Sequence, residues 1–337
     1  AASPWFNGGS GGLYTDWKRE SDGKHFIGQT LDNKKWGKAA AAAKRIIDLN
    51  EYELYTSPKK NDTKALPEVV MTTFNSRPIS QFDPSTIDPL RSYSEIFNGD
   101  VSVSMNKEII YSCRPTQSGK DSPAGIAMPA VMGGMNGLNL TQSVSDMFYM
   151  DDGSEYIQPQ DAHEAIGVAK SFSGYTVSRN TAKMHDNREM RFYVSIGYNH
   201  AIWPNASYTG SSNLKNLEVE YYSDGNAGPP ANYAVDYNHS GYTLRKYINF
   251  EDIITDGSIR PKSFPIFRYA EVLLNYVEAL NEMQEDYIED NFTIKARDEN
   301  EILDAFNQIR YRAGLPGLTT LPDRGEMREL IKKERHI

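Results

Sequence analysis

Residues 264–282, FPIFRYAEVLLNYVEALNE, constrain the fold more than any other part of this chain. Their apolar residues recur at steps of three and four, and their polar residues fall mostly outside that stripe, which is the pattern of an amphipathic helix. Pro265 would occupy the first turn, where its missing N–H costs nothing. The pattern therefore predicts a helix over the whole segment. Taken alone, it is typical of a core helix in any large helical protein.

The helical period is found again at both ends of the chain. Residues 32–50, DNKKWGKAAAAAKRIIDLN, follow a capping Asp32 or Asn33, and their alanine run would let another helix approach closely. Two further amphipathic stretches follow residue 299, and Gly314 with Pro316 closes the first of them. These regions, 32–50 and 264–337, are predicted to form a scaffold of helix pairs.

The middle of the chain has a different composition. Residues 51–263 are rich in Pro, Ser, Asn, Gly and Asp between short apolar runs, which predicts irregular structure with short strands. Two strands are expected, one at EIIYSC and one at the alternating residues 192–198, and Cys113 is expected to be buried after the first. SVSDMFYM predicts a short helix. The prediction is a mainly α protein forming a single domain over 1–337.

Composition and charge exclude several classes of partner. The net charge is −9, and no basic run interrupts it, which disfavours nucleic acid. No apolar stretch approaches the roughly 18 residues that a membrane helix needs. The single cysteine cannot form an intramolecular disulfide or a zinc site.

A search for catalytic groups gives little. The six histidines form no HExxH motif. The nucleophile motif G-x-S-x-G and the phosphate-binding motif G-x-x-x-x-G-K-[ST] do not occur between a predicted strand and a predicted helix, where they would function. A pair of carboxylates at glycosidase spacing stays open, because 45 acidic residues make such pairs by chance. No metal site or cofactor is predicted, although a structural Ca²⁺ stays open at two acidic clusters: Asp151, Asp152 and Glu155, and Asp286, Glu289 and Asp290.

Sugar binding has its own physical requirement. A pyranose presents an apolar face and a rim of hydroxyls, so a binding site needs an exposed aromatic ring beside hydrogen-bonding side chains. Trp5 and Trp36 adjoin helical blocks and are assigned to the core. The candidate ligand residues lie in irregular segments; they are Trp17, Trp203, Tyr221, Tyr222, Arg114 and Asn136.

Several blocks, taken in order, resemble one family. AASPWFNG, WGKAAAAAKRIID, NKEIIYS, SVSDMFYMDDGSEY, DNREMRFYVSIGYN, GYTLRKYINF, FRYAEVLLNYVEALNE and LDAFNQIRYRAGLP followed by MRELIKKER are similar to the SusD-like (RagB/SusD) nutrient-binding outer-membrane lipoproteins of Bacteroidetes. The resemblance implies tetratricopeptide-like helix pairs packed with a loop-rich portion, 51–263, that faces ligand and partner. It also implies a fragment without the N-terminal lipidation region and the C-terminal part.

The function implied by this resemblance is binding without catalysis. A member of the family captures an oligosaccharide or polysaccharide at the extracellular face of the outer membrane and delivers it to a SusC-like TonB-dependent transporter. Membrane association would come only through a lipid anchor absent from this chain. Some members bind peptides instead. Two other classes stay open, a glycoside hydrolase with two apposed carboxylates and a helical-repeat adaptor with a concave protein-binding groove.

Overall fold

The computed structural model describes residues 7–8, 14, 16–114, 121–204, 216–229, 236–289 and 292–337. The helices in these ranges cluster toward the two ends of the chain, and the helices of the middle part are short. They are α1 (Lys34–Asp48), α2 (Glu68–Ser76), α3 (Pro89–Ser94), α4 (Pro123–Ala127), α5 (Gln142–Asp146), α6 (Met190–Ser195), α7 (Tyr269–Glu282), α8 (Glu299–Arg312) and α9 (Arg324–His336).

The strands are short and pair antiparallel in two-stranded sheets, namely β1 with β8, β2 with β3, β4 with β7, β5 with β6 and β9 with β10. Such ribbons cannot form a core by themselves, so they are stabilised by the side chains packed around them. Their bounds are β1 (Ile109–Cys113), β2 (Lys170–Phe172), β3 (Tyr175–Val177), β4 (Ile196–Tyr198), β5 (Ile202–Trp203), β6 (Leu217–Glu218), β7 (Tyr242–Leu244), β8 (Phe264–Arg268), β9 (Tyr287–Glu289) and β10 (Phe292–Ile294).

The chain divides into two compact units. Unit 1 contains residues 1–53, 269–308 and 318–336. Within it α1 packs on α7, and α7 packs on α9. The predicted alanine face is the buried face of α1, and the apolar stripe of α7 is buried as well. The amphipathic patterns at the two ends of the sequence therefore meet as packed helices, as predicted.

Unit 2 contains residues 54–268 and 309–317, with residue 337. Its main core is unusually aromatic, and rings from α6, β3 and β4 lie edge to face or stacked on one another. Phe192 contacts Phe148 in a T-shaped arrangement at 5.8 Å between ring centroids. Because the secondary elements of this unit are short, the packing of large rings holds it together.

The predicted helix at 264–282 begins five residues later than the pattern indicates. Residues Phe264–Arg268 form β8, paired with β1, and α7 starts at Tyr269. The residue before a proline is disfavoured in helical geometry, which restrains Phe264. In addition, Arg268 pairs with the buried Glu108 at 2.7 Å, which holds the end of the strand in place. The apolar period alone missed both constraints.

Two other predictions in the middle region are wrong. Residues 192–198 are not one strand, because α6 occupies Met190–Ser195 and only Ile196–Tyr198 is strand. Every residue of α6 is buried. An apolar alternation indicates a strand only where one face is exposed, so here it could not distinguish a strand from a helix. Residues Glu68–Ser76 form α2, a helix of nine residues inside the region that was predicted to be irregular with short strands.

Other local predictions are confirmed. β1 lies at the IIYSC run, and α5 lies at the start of SVSDMFYM. Asp32 accepts a hydrogen bond from the backbone N–H of Lys34 at 3.0 Å, at the start of α1. Gly314 follows α8 with a φ of +74°, a left-handed conformation that glycine adopts without strain. Cys113, by contrast, is exposed, so the predicted burial of its thiol is wrong.

Candidate functional site

A small hairpin in unit 1 carries a group of exposed aromatic rings. Lys18 and His25 form an antiparallel bridge. The N–H of Phe26 donates to the carbonyl of Trp17 at 3.0 Å, and the hairpin turns through Gly23, whose φ is +67°. An Asp-Gly pair is a common turn signal, so the local sequence explains the reversal of the chain. The pairing brings Trp17 and Phe26 to neighbouring positions.

The three rings of this hairpin region form a continuous aromatic surface, here called the aromatic surface: Tyr14, Trp17 and Phe26. Their exposed fractions are 44%, 56% and 57%. Trp17 lies 5.9 Å from Tyr14 and 5.1 Å from Phe26 between ring centroids. Large rings are normally buried or paired with a partner, so a contiguous exposed group is a marker of a binding surface.

Charged side chains lie on the same hairpin region as the aromatic surface. Arg19 and Asp22 form an ion pair, and Arg19 Nε donates to Asp22 Oδ1 at 2.7 Å. The Arg19 guanidinium lowers the pKa of the Asp22 carboxyl, so this acceptor stays ionised under ordinary conditions. Asp16 and Lys24 are also exposed. An apolar platform with donors and acceptors at its edge can stack on a sugar ring and bind its hydroxyls.

A cleft lies in unit 2, separate in sequence from the aromatic surface. A cleft of about 130 Å³ opens between α3, β3, α6 and the segment after β7. Its wall is both aromatic and charged, and includes Glu95, Asp100, Tyr175, Arg245, Lys246 and Phe250. A cavity needs about 10–15 Å³ of accessible volume to hold one water. The cleft is therefore large enough for a small molecule.

Of the residues predicted from the sequence to contact ligand, three have exposed surface. Trp17 is part of the aromatic surface. Tyr222 is half exposed, and its ring centroid lies 5.9 Å from that of His200. Arg114 is exposed at the end of β1. Tyr222 and Arg114 belong to unit 2, whereas the aromatic surface belongs to unit 1.

The other three predicted residues are buried in unit 2. Trp203 has no exposed surface, and Tyr221 belongs to the same core cluster. Asn136 has a left-handed φ of +48° and donates through Nδ2 to the carbonyl of Asp236 at 2.9 Å. Trp203 therefore packs inside unit 2 and presents no ring face to solvent. Trp36 is half-buried, and Trp5 lies outside the described residues.

Glu218, close to Tyr222, is held by three hydrogen bonds. It accepts from Ser178 Oγ at 2.6 Å and Asn180 Nδ2 at 2.9 Å, and its Oε1 lies 2.6 Å from His200 Nδ1. Desolvation raises the pKa of Glu218, but these three bonds together lower it below its usual value. The carboxylate is thus fixed in its ionised form and positions the imidazole beneath Tyr222.

The acidic clusters have other partners. Asp151 pairs with Lys64 at 2.6 Å, and Asp286 accepts from the N–H of Ala296 at 2.7 Å. Asp290 lies outside the described residues. Across the described ranges, no three His, Cys, Asp or Glu side chains are placed to hold a metal ion. None of the helices in those ranges is both long and apolar enough to cross a bilayer.

Sequence reasoning missed several residues that the structure brings forward. Phe26 completes the aromatic surface, and the Asp22-Gly23 turn, which folds the chain back so that Phe26 lies beside Trp17, was the signal that could have found it. Arg245 and Phe250 line the cleft of unit 2. They lie in the run YTLRKYINF, and no local pattern marks them as neighbours of Tyr175, which is 70 positions before Arg245.

Comparison with known proteins identifies the family. The model of the SusD family matches residues 96–337. Among curated proteins no sequence matches the chain. A solved SusD-like protein from Bacteroides fragilis is 23% identical with a TM-score of 0.54, over 90% of this chain and 48% of that one.

Two further solved structures share this fold. A SusD-like carbohydrate binding protein from Bacteroides fragilis is 22% identical with a TM-score of 0.55, over 90% of this chain and 45% of its own length. A protein designated BT4246 is 20% identical with a TM-score of 0.67, over 99% of this chain and 55% of its own. The chain thus spans about half the length of these solved relatives. With most of its length matched by the family model and a mainly helical fold with short strands, the chain belongs to the SusD family.

Proposed function

We propose that this chain is part of a cell-surface protein that binds an oligosaccharide or polysaccharide and delivers it, unaltered, to a TonB-dependent outer-membrane transporter. Membership of the SusD family supports the proposal, and a similar solved structure is described as a carbohydrate binding protein. The observation in this chain that carries the binding step is the aromatic surface of unit 1.

Stacking is the physical basis of the proposed contact. The rings of Trp17 and Phe26 are more than half exposed and lie side by side, so they can cover the apolar faces of one or two sugar units. Arg19 and Asp22 would then meet the hydroxyl rim. A polymer can run across such an open surface, whereas a closed pocket would admit only its end.

The binding residues proposed here differ from the sequence candidates. Trp17 is the principal contact, with Tyr14 and Phe26 beside it. Tyr222 and Arg114 are exposed and stay as proposed secondary contacts in unit 2. Trp203, Tyr221 and Asn136 are buried, so we leave them out of the contact set.

Affinity electrophoresis tests the binding step. Gels containing plant, host or microbial polysaccharides should retard the wild-type protein in at least one case. Trp17→Ala should weaken that binding roughly tenfold or more, because a central aromatic residue commonly dominates a binding surface. Phe267→Ala removes an equally exposed ring from unit 2 and should change affinity little. Polysaccharide binding that is unaffected by Trp17→Ala would show that the aromatic surface is not the binding site. Binding to peptides alone would show that the ligand is a peptide and not a glycan.

Absence of catalysis has a separate test. Prolonged incubation with each bound polysaccharide should release no new reducing ends. Any release would instead favour the glycoside hydrolase alternative, which requires two carboxylates at a fixed separation across the bond.

The transporter and the location are tested in cells. The full-length protein, expressed with its neighbouring transporter, should co-purify with it from outer membranes and should be digested by protease added to intact cells. Purification without a membrane partner, or protection from protease, would contradict delivery from the cell surface.

A further inference from the structure

Arg245 has an unusual environment at the end of β7 in unit 2. Its backbone N–H donates to the carbonyl of Ser195 at 2.8 Å, which fixes the position of the residue. The side chain is only 3% exposed. The guanidinium carbon lies 4.6 Å from the ring centroid of Tyr175, 4.9 Å from that of Trp203 and 5.7 Å from that of Phe250. Three aromatic rings therefore surround one buried cation.

The polar ends of this side chain are unpaired. Within the described residues, Nη1 and Nη2 of Arg245 have no hydrogen-bond partner, and neither do Trp203 Nε1 and Tyr221 Oη nearby in the same core. A guanidinium stays protonated in proteins, so burial cannot be relieved by loss of the proton. Aromatic faces attract the cation but accept little hydrogen bonding. A buried charge in this state calls for an anion or ordered water.

The other charges on the wall of the cleft are largely satisfied. Arg91 pairs with Asp62 and Asp88, both at 2.7 Å. Asp100 pairs with Arg260 at 3.0 Å. These groups are therefore not available to balance Arg245.

Glu95 and Lys246 complete the charged wall. Glu95 accepts hydrogen bonds from Tyr55 Oη at 2.6 Å and Ser57 Oγ at 3.4 Å. Lys246 Nζ lies 4.8 Å and 4.5 Å from the ring centroids of Tyr93 and Phe97. Neither Arg245 nor Lys246 has a carboxylate at ion-pair distance among the described residues. Glu95 accepts only from hydroxyl groups and likewise has no cation at ion-pair distance among the described residues, so the wall holds two such cations and one such carboxylate, and their net charge is positive.

We propose that this cleft binds the carboxylate of an acidic sugar unit, such as a uronic acid, through the guanidinium of Arg245. The inference rests on the proposed glycan-binding function and specifies one class of its ligands. The two terminal nitrogens of an arginine match the two oxygens of a carboxylate, and a cleft of about 130 Å³ has room for a single sugar unit. Arg245 and Phe250 both line the cleft, and among the three surrounding rings only Phe250 has substantial exposure, so a ligand in the cleft approaches the guanidinium from the side of that ring.

Calorimetric titration of the wild-type protein tests the proposal without any mutation. Galacturonate and glucuronate should bind roughly tenfold or more tightly than galactose and glucose, because hydrogen bonds to a charged group are the stronger kind. Sodium acetate and sodium sulfate test whether the cleft binds any anion or needs an anion that is attached to a sugar ring. Both should bind more weakly than the uronates, since they lack the sugar ring that fills the cleft.

Three variants locate the site. Arg245→Gln should abolish the preference for uronates, and Arg245→Lys should reduce it, because an ammonium keeps the charge but loses the two-pronged geometry. Arg179→Gln removes an exposed arginine from the same unit, away from the cleft wall, and should keep the wild-type preference. Circular dichroism checks that each variant is folded. If Arg245→Gln does not fold, Arg245→Lys and the wild-type titrations decide the result.

Several outcomes would overturn the inference. Equal binding of uronates and neutral sugars, or a preference unchanged in Arg245→Lys, would remove Arg245 from ligand binding. Acetate or sulfate binding as tightly as the uronates would show a general anion site and refute the sugar assignment. Retention of neutral polysaccharides without any preference for uronates would refute this inference alone, whereas a protein that binds no polysaccharide would refute the proposed function.

Discussion

Arg312 Nη1 lies 2.8 Å from Oε2 of Glu108, and both side chains are buried in unit 2. The same carboxylate accepts from Arg268 Nη1 at 2.7 Å and from the backbone N–H of Tyr55 at 2.9 Å. One glutamate thus connects the start of β1, the end of β8, the end of α8 and the segment before α2. The three donors fulfil the hydrogen-bonding capacity of this buried carboxylate. In turn, the carboxylate supplies the negative charge that balances the two arginines.

Replacing Glu108 should be strongly destabilising. Glu108→Gln keeps the shape but removes the charge that balances Arg268 and Arg312, leaving an uncompensated buried cation. Breaking a buried ion pair in this way costs about 3–5 kcal/mol. Urea unfolding measures the loss. Lys183→Gln, which removes an exposed pair with Asp161, is the control and should unfold close to the wild-type midpoint. Equal midpoints for Glu108→Gln and wild type would show that the buried charges are balanced in another way.

His185 should make the protein less stable in mild acid. Its Nε2 lies 3.0 Å from Tyr242 Oη, and its ring stacks on Tyr198 at 4.5 Å. Burial, with a smaller effect of Arg188, lowers the pKa of His185 to about 3. The unfolded chain binds this proton near pH 6.5 and the folded chain does not. The free energy of unfolding therefore has the full contribution of this group above about pH 6.5 and loses it progressively as the pH falls toward 3.

The dependence on pH isolates this histidine. Between pH 6 and 4, His185→Gln should lose stability less steeply than wild type, by up to about 1.4 kcal/mol per pH unit for one proton. The carboxylates contribute equally to both proteins, so the difference in slope belongs to the histidine. His239→Gln, at an exposed position in the same unit, should keep the wild-type slope. Parallel slopes for wild type and His185→Gln would contradict a neutral buried imidazole.

Gly37 should not tolerate a methyl group. A Cβ at this position in α1 would lie 2.4 Å from Cβ and Cγ of Tyr287, much closer than atoms can approach. Overpacking costs about 1–3 kcal/mol, whereas alanine gains at most about 1 kcal/mol of helix propensity. Gly37→Ala should therefore lower the melting temperature. Gly28→Ala, whose new Cβ would lie 3.8 Å from Lys35 Nζ, should change it little. A stabilised Gly37→Ala protein would show that Tyr287 can move away.

The thiol of Cys113 should react in the native protein. It is exposed at the end of β1, and it is the single cysteine of the chain. Ellman's reagent without denaturant should therefore titrate about one thiol per chain, with no further reaction after urea is added. A thiol that reacts only in urea would contradict the exposure of this strand end.

The helical ends were predictable because each carries its own period. In α7 and α1 the apolar stripe coincides with the buried face, so local spacing and tertiary packing agree. The start of α7 was not predictable in this way. Residues Phe264–Arg268 continue the helical pattern, yet they pair with β1, which is more than 150 positions earlier in the sequence.

The candidate site divides along similar lines. Trp17 was found from the sequence because a tryptophan in a polar loop is unusual, and the structure leaves it exposed beside Phe26. Trp203 and Tyr221 carry the same local signal and are buried. Trp203 and Tyr221 differ from Trp17 because the aromatic core of unit 2 covers their rings. The composition of a loop does not show whether such a core will cover it.

The family, the mainly helical class and the helices at both ends could be predicted from the order of the residues, because they depend on periods and blocks that adjacent residues encode. Which aromatic rings face solvent and which enclose a cation is known only from the packing of the folded chain. Those outcomes depend on contacts such as Arg245 with Tyr175 and Trp203, which lie about 70 and 40 positions away along the chain. Burial is a property of the packed molecule, and no local stretch of residues specifies it.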